Sequence, residues 1–369
     1  MWCCVCFLYK FIFITFATVL KNKLIAYLET IPVIILNWNG LDDTIACVDS
    51  VLKQSYSSIK IFVVDNGSSG PDFDALSQRY GYERNVELIK NSENFGFGIA
   101  HNRLFDRLIG AGYNVVALLN NDAVAHADWL NEAYSCLINN NADAIACNML
   151  QYYNRQVIDS AGLKMLNTGE ILPVGHGHLA SKAYKRKQVM GFCAGACLMR
   201  LSLIEQIGDF DSFFDTGYED AELSLRATVN NKIIFYEPAA IVFHRMGQSV
   251  NKIKSDKRTL KIIRDINYTA LANLPAVHIL LNFPFILLRN LFIILLFVIT
   301  FRFRYPLLLF RATALTIFVD LKTIIKKRKL KTRNIGFFKL LKMQNFFLIH
   351  DFERFFRYII KNEAHKFEN

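Results

Sequence analysis

Leu118-Leu119-Asn120-Asn121-Asp122 is an apolar run that ends abruptly in two amides and one carboxylate. A buried strand delivering an anionic oxygen at its carboxyl end is how an open α/β sheet presents a ligand to a metal or phosphate. One such carboxylate decides little, because an Asp at this place also caps turns and helices. Its weight comes from further strand-end clusters in matching order along the first two thirds of the chain.

Around it, short apolar runs alternate with helical stretches. Pro32 to Leu36, Ile59 to Val64, Val86 to Ile89 and Val115 to Leu119 predict four strands. Helices are predicted from about Asp42 to Gln54, Ile99 to Ile109 and Asp128 to Asn139, and further strands near Ala144 to Asn148, Ala196 to Arg200 and Ile233 to Tyr236. Repeated βα units of this kind predict an α/β fold with a mainly parallel sheet flanked by helices.

The strand-end clusters name the candidate site. Asn37-Trp38-Asn39-Gly40 offers backbone and a flat aromatic on which a nucleobase could stack, though a Trp there equally serves packing. Asp65, before Asn66-Gly67-Ser68-Ser69, can accept from a base imide N–H or cap its own turn. The glycine-bearing loop Asn94-Phe95-Gly96-Phe97-Gly98 runs into a helix whose first N–H groups suit a diphosphate. It lacks the GxGxxG dinucleotide fingerprint.

Asp122 is an oxygen ligand suited to Mg²⁺ or Mn²⁺, which take few protein ligands and the rest from phosphate and water. Glu219-Asp220, with Leu223 and Arg226 at helical spacing, places two acids in a first helical turn, where the dipole also favours them as caps. Consecutive side chains diverge by about 100° on a helix, so the two acids do not share one role. One faces a reacting hydroxyl while the other anchors a loop. His244, after an apolar run, is a candidate second metal ligand through a neutral ring nitrogen, or a hydrogen-bonded structural histidine.

Composition bounds the rest. The 369 residues suffice for one large domain or two ordinary ones, and 53% hydrophobic content with 31 phenylalanines suggests membrane contact. Leu274 to Thr300 and Tyr305 to Val319 are apolar blocks near spanning length, but Pro284, Arg289 and Arg311 argue for interfacial or re-entrant helices with snorkelling arginines. The basic run Lys326, Lys327, Arg328, Lys329, Lys331, Arg333 and Lys339 then points to an anionic lipid leaflet rather than nucleic acid. Eight cysteines without knuckle or CxxC spacing read as reduced, buried thiols and a cytosolic catalytic domain. Residues 1 to 30 are an apolar extension, either a weak anchor or an over-extended start. The expected division is that extension, a catalytic unit over 31–270, membrane-associated helices over 271–320 and a basic tail over 321–369.

Taken in order, Val33-Ile34-Ile35-Leu36-Asn37-Trp38-Asn39-Gly40, Val63-Val64-Asp65-Asn66-Gly67-Ser68-Ser69, Asn94 to Gly98, Leu118 to Asp122, Gly191-Phe192-Cys193-Ala194-Gly195-Ala196, Glu219-Asp220 with Leu223 and Arg226, and His244 with Gly247 and Ser249 carry a resemblance. Together they resemble the family 2 inverting glycosyltransferases of GT-A fold, within them the rhamnosyltransferase-like group, over roughly Ile31 to Val250. The resemblance implies a Rossmann-like nucleotide-sugar-binding sheet and Asp65 at the donor base. It puts the Asn94 to Gly98 loop, with Gly96, near the ribose or phosphates, and Asp122 and His244 on a divalent metal. Asp220 is then the general base, and Gly195 and Ala196 border acceptor and donor sugar. Asn120 stands where many members have a first acid, so it supplies at most a neutral oxygen.

The implied reaction is attack of an acceptor hydroxyl on a nucleotide-activated sugar, with dTDP-rhamnose or a UDP-sugar as donor and a lipid-linked or glycan acceptor at the cytoplasmic face. A nucleotidyltransferase or other nucleotide-sugar enzyme, and a silent membrane scaffold of the same fold, are the rival readings.

Overall fold

The computed structural model describes residues 29–180, 185–215, 217–245, 256–299 and 303–355. The N-terminal extension up to residue 28, the positions Gly247 and Ser249, and the end of the basic tail lie outside the described residues.

Four parallel strands open the fold: β1 (Ile31–Asn37), β2 (Ile59–Asp65), β3 (Val86–Lys90) and β4 (Val115–Leu119), joined through α1 (Leu41–Val51), α2 (Asp72–Tyr80) and α3 (Gly96–Gly110). There follow β5 (Ala123–Ala125), α4 (Trp129–Asn139), β6 (Ala144–Gln151), β7 (Ile158–Ser160), β8 (Leu163–Leu166), β9 (Ile171–Pro173), β10 (Lys187–Gln188) and β11 (Ala196–Arg200). Helices α5 (Leu201–Ile207) and α6 (Glu219–Val229) precede the long β12 (Ile234–His244).

The main sheet runs β10-β12-β6-β11-β4-β1-β2-β3, with β5 on β12 and β7 on β6. Strand β11 is antiparallel to both β4 and β6, while β12 is parallel to β6. The sheet is thus mixed and mostly parallel, as the alternating pattern predicts. Both faces are covered, which is why its strands are apolar without interruption. Ile31, Val33 and Ile35 pack with α1 and α4 on one face, and Ile34 with Phe62, Leu104, Phe105 and Leu223 on the other.

Strand β12 departs from expectation. Its predicted end near Tyr236 reflects Pro238, which cannot donate to a ladder. The strand instead continues to His244 through a bulge, where Glu237 pairs with Cys147 and Ile241 with Asn148. Asn148 Nδ2 donates to the Pro238 carbonyl at 3.0 Å, holding the bulge. Bulges of this kind re-aim a strand end beside a site.

The C-terminal third is helical: α7 (Asp256–Asn273), α8 (Ala276–Ile299), α9 (Arg304–Leu315), a π-helical turn at Thr316–Asp320, α10 (Leu321–Leu330), α11 (Phe337–Met343) and α12 (Phe347–Phe355). A two-residue β13 (Gln344–Asn345) joins β8 and β9 in a small second sheet. Leu225 and Val229 of α6 share a core with Ala270, Leu274, Ile335 and Leu340, so this third packs directly on the helix that begins with Glu219 and Asp220.

Two expectations change here. Arg289 does not snorkel: it pairs with Glu170 and, at 2.8 Å, with Asp351, because two buried carboxylates neutralise it inside the protein. Four members of the basic run are also consumed internally. Lys327 meets Asp211 at 3.0 Å, Lys331 meets Glu222 at 2.5 Å, and Arg328 and Arg333 donate to carbonyls of Leu271, Leu274, Ala272 and Asn273. The exposed cations of the run are Lys326, Lys329 and Lys339, with exposed Lys322 before it and Lys342 after it. Helix α8 is the one described helix long and apolar enough to cross a membrane. It leaves Leu280, Phe283, Leu291 and Leu295 exposed, and Phe318 of the π-helical turn is 85% exposed.

Candidate active site

The carboxyl ends of β1, β2 and β4 meet at one edge, as the register demands, since Asn37 lies opposite Asp65. Asn37 is fully buried and donates to Asp65 Oδ1 at 2.9 Å and Asp72 Oδ2 at 3.0 Å, while Thr44 Oγ1 donates to its carbonyl at 2.8 Å. It therefore ties three loops together and presents no open face to a ligand. Asp65 accepts from Asn37, from the Ser68 hydroxyl and from Ser68 N at 3.3 Å, so its carboxylate caps the turn; contact with a donor base would share these oxygens.

Trp38 is 53% exposed at the same edge, a flat surface on which a base can stack. Asn39 adopts a left-handed φ of 51°, and its side chain accepts from Ser69 N at 2.9 Å. The loop before α3 is organised by a residue the sequence did not single out. Buried Asn66 donates to Asn94 Oδ1 at 2.9 Å and accepts from Asn91 Nδ2 at 2.9 Å and Phe95 N at 3.3 Å. Asn94 in turn accepts from Gly96 N at 2.8 Å. Gly96 has φ 77°, and a Cβ there would come within 2.7 Å of the Asp215 carbonyl. His101 on α3 is a core residue: burial among Phe97, Phe105 and Phe210 pushes its ring down to about 4.

At the end of β4, Asn120 N donates to the Gly195 carbonyl at 2.9 Å, and a Cβ at Gly195 would press on the Asn120 amide at 3.1 Å. Ala196, the first residue of β11, is buried opposite Leu119. On the far side of the same turn, Ala194 N donates to Asp220 Oδ2 at 3.0 Å. The turn Cys193-Ala194-Gly195 therefore bridges the Asn120-Asn121-Asp122 element and the acid pair of α6.

The acid pair is set by an unusual backbone. Tyr218, just before α6, sits at φ 77°, a conformation costly for a residue with a bulky side chain. Its hydroxyl accepts from Ile171 N at 2.7 Å, anchoring the strained residue to β9. Asp220 Oδ1 accepts from Ala221 N at 2.7 Å. Burial raises the Asp220 carboxyl, and the N–H groups of Ala194 and Ala221 with the Cys193 thiol pull against it. Burial, then the adjacent Asp220 charge, pushes Glu219 up to about 8, and its Oε2 has no hydrogen-bond partner. Burial and the neighbouring acid thus bias Glu219 toward its neutral form beside Asp220.

His244 and Asp122 meet, with Nε2 3.0 Å from Asp122 Oδ1. Two residues missed by sequence complete a chain of contacts. Asp159 Oδ2 lies 2.8 Å from His244 Nδ1, and His176 Nδ1 lies 3.3 Å from Asp159 Oδ1. Burial opposes a charged His244 ring, but Asp122 and Asp159 outweigh it and lift the ring to about 10. Burial also opposes ionisation of both carboxyls, and their histidine partners hold each below its usual range.

Among the described residues no group of three or more His, Cys, Asp or Glu forms a metal cage. One carboxylate, one imidazole and the neutral Asn120 amide nearby fit an ion that draws its other ligands from a diphosphate and water. The imidazole favours Mn²⁺ over the harder Mg²⁺.

Residues 33–208 match the family described as Glycosyl transferase family 2. Over these residues the chain is similar to the family 2 glycosyltransferases. A stretch of 99 residues is 35% identical to the glucosyl-dolichyl phosphate glucuronosyltransferase of Haloferax volcanii, covering 27% of this chain and 30% of that protein. A longer stretch of 215 residues is 25% identical to the O-antigen biosynthesis protein RfbC of Myxococcus xanthus, covering 52% of this chain and 16% of that protein. The chain thus spans less than half the length of these curated relatives. The mannosyltransferase PcManGT from Pyrobaculum calidifontis, solved with GDP-Man and Mn²⁺, is similar at TM-score 0.50 and 15% identity over 81% of this chain and 84% of that one. That likeness is one of fold, the GT-A-like α/β architecture of the glycosyltransferase domain.

Proposed function

We propose that this protein is an inverting glycosyltransferase that moves a sugar from a nucleoside-diphosphate donor, dTDP-rhamnose or a UDP-sugar, to a hydroxyl of a membrane-linked glycan. The observation that carries the reading is the turn Cys193-Ala194-Gly195, bonded through Gly195 to Asn120 and through Ala194 to Asp220. It brings the element that would meet a diphosphate next to a carboxylate of raised basicity.

In this reading Asp220 takes the proton of the attacking hydroxyl. An alcohol is a weak nucleophile at neutral pH, and a carboxylate raised above its usual range accepts that proton more readily than a solvated one. Glu219, biased toward its neutral form beside it, adds little negative charge that would oppose ionisation of the base. Trp38 offers the face for the base, and Asn94 and Gly96 shape the loop before α3, which would border the donor phosphates. Asp122 and His244 would hold Mn²⁺ or Mg²⁺. When bound, that ion supplies positive charge to the leaving diphosphate.

The exposed apolar surface of α8 and the π-helical turn, flanked by Lys322, Lys326 and Lys329, supports attachment to the cytoplasmic leaflet beside the acceptor. The ion pairs of Arg289 favour a helix that lies against the protein over one that crosses the bilayer alone.

The test is incubation of the purified chain with a panel of nucleotide sugars and a membrane glycan fraction. Release of a nucleoside diphosphate with transfer of label supports the proposal. Absence of release from every donor, with the protein folded, would overturn it.

A further inference from the structure

Strand β6 carries a neighbour on each edge near its end: β7 pairs through Met149 and Leu150, and β12 pairs from Asn148 to Gln151. Asp159 on β7 and His244 at the tip of β12 thus reach over the same strand from opposite sides. They meet at 2.8 Å between Oδ2 and Nδ1. The other Asp159 oxygen lies 3.3 Å from His176 Nδ1, and that nitrogen is also 2.9 Å from the Asp159 backbone carbonyl. The carboxylate is therefore braced on two sides and is buried.

An imidazole can give only one nitrogen lone pair to a cation, and the other nitrogen must then carry the proton. Which nitrogen does so is fixed by the acceptor that the N–H finds. In this site Nε2 faces Asp122 and Nδ1 faces a carboxylate that can only accept while ionised. We infer that Asp159, braced by His176, is the positioning residue that fixes His244 with its proton on Nδ1 and turns Nε2 toward a divalent cation at Asp122. The inference rests on the reading of Asp122 and His244 as the cation site.

A carboxylate behind a ligating histidine orients the ring and raises its donor strength, and its loss weakens metal binding about 10- to 100-fold. A purely structural pairing would leave cation affinity unmoved once the fold is intact. The backbone partners of β7 and β12 position the two strands without any help from the side chains.

The experiment uses the full chain with Mn²⁺ and either UDP or dTDP, reading bound Mn²⁺ by electron paramagnetic resonance and the ring form of His244 by ¹⁵N NMR of histidine-labelled protein. Asp159→Asn is expected to weaken Mn²⁺ binding about 10- to 100-fold. It should also shift His244 away from the Nδ1–H form, with thermal unfolding confirming the fold. His176→Gln, which weakens the support of Asp159 and keeps its carboxylate, should give a smaller loss in the same direction and serves if Asp159→Asn does not fold. Mn²⁺ affinity within twofold of the parent, with an unchanged His244 ring form in the folded variant, would overturn the inference alone. Failure of the parent protein itself to bind Mn²⁺ with either nucleotide would overturn the cation site and the inference with it.

Discussion

The ammonium of Lys331 reaches Oε1 of Glu222 at 2.5 Å, joining the segment after α10 to the helix that begins with the acid pair. Glu222 is fully buried and also accepts from Arg226 Nη2 at 2.7 Å, and Arg226 closes the network on the carbonyls of Ile207 and Asp209. The C-terminal third is thereby an ionic part of the catalytic unit.

Breaking a buried ion pair by removing one partner leaves a charge uncompensated, at a cost of about 3 kcal/mol. Lys331→Met should lower stability by that order, read as a shift in the urea midpoint with an unchanged slope. Adding Glu222→Gln should cost less than the two single losses summed, because the Lys331–Glu222 contact can be lost only once. An additive double variant would dismiss the pairing as a source of stability.

Asp220→Asn should cut sugar transfer by at least ~10²-fold while the affinity for the donor, measured by calorimetry, stays close to the parent value. The amide keeps the shape and cannot take a proton. Undiminished turnover would remove Asp220 from the role of base.

Glu219 supplies a pH signature in stability. Its folded value of about 8 lies above that of an unfolded glutamate, so between about pH 4.5 and 8 the native state binds the extra proton and stability falls as pH rises. Glu219→Gln removes the penalty, and should stabilise the protein at pH 8 by on the order of 3 kcal/mol while mattering little at pH 4.5. A variant equally stable relative to the parent at both pH values would contradict a neutral, buried Glu219.

Asp122→Ala should impair retention of Mn²⁺ and of the donor diphosphate together, since the ion would link the two. Titration of Mn²⁺ with UDP present reads both. Unchanged affinity would place the diphosphate elsewhere.

Membrane attachment is tested by flotation with vesicles. Phe318→Ser with Leu280→Ser should reduce binding to any bilayer. Lys322→Gln, Lys326→Gln and Lys329→Gln together should reduce binding to anionic vesicles by roughly 10²-fold, at about 1 kcal/mol per lysine in low salt. Variants that float like the parent would leave these side chains without a lipid partner.

The sheet was largely legible in the sequence because its strands are buried on both faces and bounded by turn residues. Ala196 to Arg200 is met at both ends, and β1, β2, β3 and β4 within a residue or two. Strands of two or three residues, such as β5, β7 and β10, have too few side chains to show a period. The site was legible where chemistry gathers at strand ends, as in Asp122 and Glu219-Asp220. Asp159 and His176 were silent because nothing local marks them; Asp159 meets His244 across 85 residues of chain. The internal use of Lys327 and Lys331 was hidden for the same reason, since a run of cations reveals its charge and not its counter-ions. Tyr218 carries no warning at all, because a left-handed tyrosine is imposed by its surroundings.

The bulge in β12 carries a consequence for how this chain tolerates change. Pro238, Ala239 and Ala240 are extra relative to β6, and they fix how far the strand has advanced when it reaches His244. Side chains alternate along a strand, so losing one of the three would swing the imidazole to the opposite side of the sheet, away from both Asp122 and Asp159. The segment works as a spacer with a fixed count, in which exposed Ala239 is open to exchange while Ala240 is held small by the core around it.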